Sequence, residues 1–201
     1  YKGWVDRKTI QILTAPEDEV IAKATIYYVQ VPFLICDKTT SNERMFIPGG
    51  SIIYAQHKGK FTLGIETYAL NDSGLNPSEK ITGQHVVNLA KQYLNAPYLW
   101  GGKSIMGIDC SGLVQVVFAM CGIQLQRDAS QQVESGYVID FMSEIKTGDL
   151  AFFENSEGKI IHVGILLNPH QIIHASGWVK IETIDTQGII SAQTGEYTHK
   201  L

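Results

Sequence analysis

Cys110 stands in Asp109-Cys110-Ser111-Gly112, directly before a run, residues 113–120, that is apolar almost all round. A run of that kind marks a helix buried on most faces rather than one striped for a surface. The thiol therefore opens a helix, where unpaired backbone N–H groups and the macrodipole favour an anion. That setting turns a thiol into a thiolate nucleophile. Such a nucleophile needs a histidine base from a neighbouring element and a third polar group that orients the base. His162, within residues 160–167, and His174, within residues 171–175, supply one of each. Both segments read as strands, joined through Asn168-Pro169-His170. A hairpin centred on Asn168 sets His162 directly opposite His174, with Cβ atoms roughly 5 Å apart. Period-two alternation turns Ile161, Val163, Ile165 and Ile173 to the other face, against the core. As a thiolate–imidazolium pair, Cys110 would attack a carbonyl and His162 would hand a proton to the leaving amine, while His174 fixes the ring of His162. The Cys110 backbone N–H, with the Tyr98 hydroxyl as a second donor, would hold the oxyanion.

Taken singly, each residue has a plainer role. Cys110 alone reads as a buried structural thiol, His162 as a satisfied strand histidine and Asp109 as a helix N-cap. Tyr98 alone packs on Trp100, and Arg127 makes a surface ion pair. Their convergence is what favours chemistry.

The elements that must position these groups are legible in outline. Val86, Val87, Ala90, Tyr93 and Leu94 recur at helical spacing, which predicts an amphipathic helix over residues 82–94 with Thr82 as its N-cap. Pro97-Tyr98-Leu99-Trp100-Gly101-Gly102 follows as a loop, then the Cys110 helix, a polar stretch around Arg127, and strands. Thr147-Gly148-Asp149 reads as a turn feeding the strand Leu150-Ala151-Phe152-Phe153. Earlier in the chain, β-type runs at residues 25–31, 45–47, 51–55 and 61–67 are spaced as in a small barrel. Tyr1-Lys2-Gly3-Trp4-Val5 reads as the closing piece of that barrel, its earlier strands lying before the given sequence. Asn71-Asp72-Ser73-Gly74-Leu75-Asn76-Pro77 is a turn-rich linker between expected domains at 1–75 and 78–201. The expectation is an α+β protein.

Composition narrows the partners. A net charge of −4 with no cluster among its 16 Lys and Arg residues argues against nucleic acid. No apolar run reaches the roughly 18–20 residues of a membrane span. The sequence begins at Tyr1 rather than Met, so any leader lies outside it. Cys110 and Cys121 on one helix are about 16 Å apart, beyond disulfide reach. Cys121 packs at the helix end before Gly122, and Cys36 sits in strand core. His57, His85, His170 and His199 read as turn, helix-surface or tail residues without ligand spacing, so neither a metal nor another cofactor is expected.

Ordered pieces then carry a resemblance: Pro97-Tyr98-Leu99-Trp100-Gly101-Gly102, Asp109-Cys110-Ser111-Gly112, Arg127-Asp128, Gly148-Asp149-Leu150-Ala151-Phe152-Phe153, His162-Val163-Gly164-Ile165 and Ile173-His174-Ala175. Over residues 82–201 the chain resembles the NlpC-type cell-wall cysteine peptidases, distant relatives of papain that cut bacterial peptidoglycan peptides. The resemblance implies a papain-like domain with its nucleophile helix packed on an antiparallel sheet. It also implies a catalytic triad of Cys110, His162 and His174, and a cleft lined by Tyr98, Asp109, Ser111 and Arg127. After Arg-Asp the family often has serine, whereas Ala129 stands here and Ser130 follows, so Ser130 joins the candidates.

The preceding part resembles bacterial SH3-like barrels. In family members built this way, barrel residues wall off the cleft so that only a peptide with a free N-terminal L-alanine fits. The cut then falls between γ-D-glutamate and a diamino acid, and Tyr1 would be one of the walls. Asp109 suits the free ammonium, and Arg127, Ser111 or Ser130 the α-carboxylate that a γ-linkage leaves free. The implied activity is a cysteine endopeptidase of peptidoglycan peptides in wall turnover or recycling. It would be a monomer in the envelope or periplasm, or in the cytoplasm for a recycling enzyme. Two rivals remain: an N-acetylmuramoyl-L-alanine amidase, and a non-catalytic wall-binding protein with an idle thiol.

Overall fold

Alternating apolar and polar residues in the first third of the chain fold as an antiparallel sheet. The computed structural model describes residues 4–57, 59–70, 75–76 and 80–200 and divides into the units Tyr1–Glu79 and Lys80–Leu201. Among the described residues no helix is long and apolar enough to cross a membrane.

In the first unit, helix α1 (Ala15–Ala22) precedes β1 (Thr25–Val29), β2 (Phe33–Lys38), β3 (Arg44–Pro48), β4 (Ile52–His57), β5 (Lys60–Leu63), β6 (Glu66–Leu70) and β7 (Leu75–Asn76). The strands form one sheet in the order β3-β2-β6-β5-β4-β1-β7 with every pairing antiparallel. Val29, Leu34, Cys36, Ile53 and Phe61 make its core. The run expected over residues 61–67 is two strands, because the chain reverses at Gly64, whose φ of 63° lies in the left-handed region that glycine enters without penalty.

Further features depart from expectation, among them β7, which lies within the expected linker. Trp4 and Val5 are exposed and lie in no strand, since Asp6 caps a short 3₁₀ turn by accepting from the Lys8 N–H and so ends the extended path. Tyr1, with the rest of the proposed closing piece before Trp4, lies outside the described residues. Helix α1 was not anticipated, although Thr14 and Glu17 form a capping box in which the Glu17 carboxylate accepts from the Thr14 N–H at 2.8 Å.

The second unit is helix on sheet. It contains α2 (Gly83–Lys91), the small hairpin β8 (Lys103–Ser104) and β9 (Gly107–Ile108), α3 (Cys110–Met120) and α4 (Ala129–Gln132). The strands β10 (Leu150–Glu154), β11 (Ile160–Asn168), β12 (Gln171–Ser176), β13 (Trp178–Asp185), β14 (Gly188–Ile190) and β15 (Tyr197–Lys200) follow as an antiparallel meander in chain order. Thr82 caps α2 as expected, accepting from the His85 N–H at 3.2 Å, but the helix ends at Lys91 and the chain turns through Asn95, at φ 69°. Leu113, Val114, Val116, Val117 and Met120 of α3 are buried against Val163, Ile165, Ile173, Ala175 and Val179 of the sheet, with Val86, Val87, Leu89 and Ala90 of α2 closing the layer. Burial of such side chains stabilises the unit by roughly 1.5–3 kcal/mol each, which fixes where α3 begins.

The opposite face of the sheet is concave. His199 on β15 stacks on His162 of β11, ring centroids 4.0 Å apart, although β12, β13 and β14 lie between those strands in the sheet. The sheet therefore curls into a half-barrel, with Phe153, Leu166, Ile172, Ile184 and Ile189 inside it.

Candidate active site

Asp109 begins the site. As N-cap of α3 its carboxylate accepts from the Gly112 N–H at 2.7 Å, and it reaches back to the Gly101 N–H, also at 2.7 Å. Arg127 meets both of its oxygens and donates to Ser111 Oγ at 2.9 Å. Burial would raise the carboxyl's pKa, but Arg127 and the two backbone donors outweigh that and hold it below the ordinary range. Asp109 is thus neutralised by Arg127 inside the protein rather than presented as a lone charge. Lys103 lies close enough to both for Arg127 to disfavour its ammonium in addition to partial burial.

Cys110, the first residue of α3, is 8% exposed. Burial pushes its thiol up; the N–H groups of Ser111, Val163 and Cys110 itself pull the other way, while the charge of Asp109 adds to the rise. The Val163 donor is informative, because it belongs to the residue after His162. The helix start and the histidine strand share one site. Tyr98 is there too: Cys110 and Asp109 both raise its hydroxyl pKa after burial. Its loop is strapped in place by Tyr98 N–H donating to the Gly177 carbonyl and by bridges from Pro97 to Trp178 and from Tyr98 to Ile108. Gln132 of α4 donates to the Ser111 carbonyl at 3.0 Å and to the Gln126 carbonyl at 2.9 Å, which pins the Arg127 turn on α3. Ser130, exposed on α4, is not drawn into this network among the described residues.

His162 and His174 meet, but not in the register expected. Asn168 pairs with Gln171 across a tight turn, a bulge follows, and Leu166 and Ile165 pair with Ile172 and Ile173. That register sets His174 level with Gly164 instead of His162. The slip is by an even number of residues, so both rings keep the same face, and the contact becomes diagonal. Gly164 makes it achievable, since a Cβ there would lie 2.9 Å from His174 Cβ and 2.6 Å from an Ile172 methyl. His162 Nε2 and His174 Nδ1 are 2.9 Å apart. Of the residues expected on the other face, Val163, Ile165 and Ile173 are buried against the helices, whereas Ile161 is exposed.

Behind the pair stands Glu182, which sequence reasoning missed. Its Oε2 lies 2.9 Å from His174 Nε2, and its Oε1 accepts from the Ala192 N–H at 3.0 Å and sits 3.3 Å from Lys180 Nζ. Burial would raise its pKa, but Ala192, His174 and Lys180 together lower it, so it is ionised although only 3% exposed. A signal existed: on β13, Glu182 alternates in phase with Lys180 and Ile184 and pairs with Ile172, which shares a face with His174. Burial lowers His162, and takes His174 to about 4 against the pull of Glu182. At rest the site therefore favours a thiol and neutral imidazoles rather than the charged pair expected of a helix N-terminus alone, because desolvation penalises both ions. His199, expected to be a tail residue, packs on His162, and one ring nitrogen from each of His162, His174 and His199 lies within 4.8 Å of the others.

A thiol at the mouth of a buried helix, beside a hydrogen-bonded histidine relay, is the constellation of cysteine peptidases. The sequence model of the NlpC/P60 family matches residues 95–198, and the chain belongs to that family. A γ-D-glutamyl-L-lysine dipeptidyl-peptidase of Bacillus cereus is 28% identical over 200 residues, spanning 95% of this chain and 55% of the relative. An enzyme of the same name from Bacillus subtilis is 36% identical over 99 residues, 48% of this chain and 33% of the relative. The chain thus spans between a third and just over half of these relatives' lengths. The crystal structure of an NlpC/P60 family protein from Bacillus cereus superposes with a TM-score of 0.74 at 21% identity, covering 90% of this chain and 65% of the other.

Proposed function

We propose that this chain is a cysteine endopeptidase hydrolysing the γ-D-glutamyl–diamino acid bond of peptidoglycan peptides, with Cys110 as nucleophile, His162 as base and His174 as its orienting residue. The observation that carries this reading is the line from Glu182 through His174 to His162, because its ionised end dictates the tautomer of each ring. A carboxylate only accepts, so His174 donates from Nε2 and turns the lone pair of Nδ1 toward His162. His162 then carries its proton on Nε2. Its Nδ1 is left as a lone pair, the form a general base requires.

Proton transfer from the Cys110 thiol to His162 Nδ1 makes the thiolate without changing the net charge of the site. The N–H groups of Ser111 and Val163 at the sulfur favour that step. Attack forms the S–C bond and moves charge onto the carbonyl oxygen, which the Cys110 N–H and the Tyr98 hydroxyl receive. His162 returns its proton to the leaving amine as the C–N bond breaks, accepts one from the water that attacks the thioester, and passes it to the sulfur as the S–C bond breaks.

The choice of bond rests on the Bacillus relatives, whose name describes removal of a dipeptide. The free ammonium and α-carboxylate of an L-Ala-γ-D-Glu dipeptide match the Asp109–Arg127 pair, with Ser111 and Lys103 as further donors to the carboxylate. Residues 1–75 are read as a bacterial SH3-like barrel and residues 78–201 as the papain-like catalytic domain. Incubation with L-Ala-γ-D-Glu-meso-diaminopimelate, followed by mass spectrometry, tests the reading. Release of diaminopimelate is expected from the wild type; its absence from correctly folded protein ends the proposal.

A further inference from the structure

We infer that His162, His174 and His199 form a binding site for a zinc-class divalent cation, and that occupancy holds the peptidase off. Ion binding stands on the geometry alone; the inhibitory consequence rests on the reading of His162 as the base.

The three imidazoles come from β11, β12 and β15 and meet on the concave face of the sheet, each offering one ring nitrogen within 4.8 Å of the other two. His162 Nε2 and His174 Nδ1, 2.9 Å apart, now share a proton. A tetrahedral zinc with Zn–N bonds of about 2.0–2.1 Å holds its ligand nitrogens roughly 3.3 Å apart. An ion can therefore replace that proton with a spread of a few tenths of an ångström between those two, while His199, now stacked on His162, turns and closes in by up to about 1.5 Å to complete the set.

The outer shell is in place as well. His174 donates its other ring N–H to Glu182, which is fixed by Ala192 N–H and Lys180. A carboxylate behind the distal nitrogen is what orients a metal-binding imidazole. Lys180 disfavours positive charge at all three rings, and Glu182 opposes it at His174 and His199. His199 engages Thr198 Oγ1 through Nδ1 at 3.0 Å and keeps Nε2 for the ion. His162 and His174 are buried, whereas His199 is half-buried and Thr198 exposed, so β15 marks the entry.

Coordination would switch the base off by moving one proton. A neutral imidazole that gives its Nε2 lone pair to a metal must carry its hydrogen on Nδ1. His162 then presents an N–H where it had a lone pair, and cannot accept the proton of Cys110. His174 already exposes a lone pair at Nδ1 and His199 binds neutral, so the hydrogen moves within the His162 ring and none is released.

Zinc chloride titrated into chelator-stripped full chain by calorimetry, with bound metal counted by elemental analysis, tests the site. One zinc per chain is expected, bound equally by the wild type and Cys110→Ala and at least tenfold more weakly by His199→Gln. Cobalt(II) in the unmodified protein is expected to show ligand-field absorption without a thiolate charge-transfer band, a readout independent of whether the variant folds. Binding lost in Cys110→Ala, a thiolate band, or zinc affinity unchanged in folded His199→Gln overturns the site. Zinc binding with the expected pattern but without loss of diaminopimelate release overturns the inhibition and keeps the site. No release even from metal-free protein counts against the peptidase reading and leaves the ion site standing.

Discussion

Helix α3 carries a thiol at each end, and the two ends behave differently. Cys121, at its C-terminal end, is buried with nothing to offset burial, which pushes its thiol up to about 11. The chain leaves there through Gly122 at φ 75°, with Ile123 N–H returning to the Phe118 carbonyl. Cys110 is buried too, yet backbone N–H groups at the helix start and on β11 point at its sulfur. Exposure does not separate the two, at 5% and 8%. Direction along the helix does: one end presents donors to an anion, the other carbonyls that repel it.

The largest effect that sharpens this contrast is Cys110→Ala, expected to lower kcat/KM on the order of 10⁴-fold or more, against a change within about threefold for Cys121→Ala, both read by diaminopimelate release. Next, Asp109→Ala removes the anchor of the N-terminal end and strands the partly buried Arg127. A loss of about 3–5 kcal/mol in denaturant unfolding is expected.

Acid should act in the same direction. His174 titrates at about 4 in the folded chain against about 6.5 for an ordinary histidine, so the unfolded chain binds more protons between those values and stability falls as pH drops through that window. The fully buried ring puts this on the order of 3 kcal/mol. Asp109 and Glu182, both lowered, add to the loss as pH falls through the carboxylate range. Chemical unfolding at pH 7 and pH 4.5 measures the sum.

Glu182→Gln keeps the shape but lets an amide donate where a carboxylate only accepted, so the ring tautomers are no longer dictated. A drop of roughly 100-fold in kcat with little change in KM is expected, along with a shifted pH–rate profile. The smallest effect is Cys121→Ala on stability, about 1 kcal/mol from a lost buried group of modest size.

Much of the site could be read from the sequence because it depends on local signals. Asp109-Cys110 before an apolar run marks a helix start, and two histidines in phase on adjacent strands share a face under any even slip of register. The bulge near Leu167 could not be read, since it depends on how the Asn168–Gln171 turn closes. His199 was out of reach for a stronger reason: only the curl of the whole sheet brings β15 over β11. Glu182 lay in between, detectable by phase but disguised as an ordinary charged residue of an alternating strand. Helix α1 has no buried residues, so apolar periodicity is silent there and only its capping box announces it.

The central claim is that Cys110 and His162 act as one acid–base pair. Alkylation by iodoacetamide at pH 7, mapped by mass spectrometry on native wild type and His162→Gln, addresses it directly. Modification confined to Cys110 and slowed at least tenfold in the variant is the predicted result; equal rates, or labelling shared with Cys36 and Cys121, would contradict it.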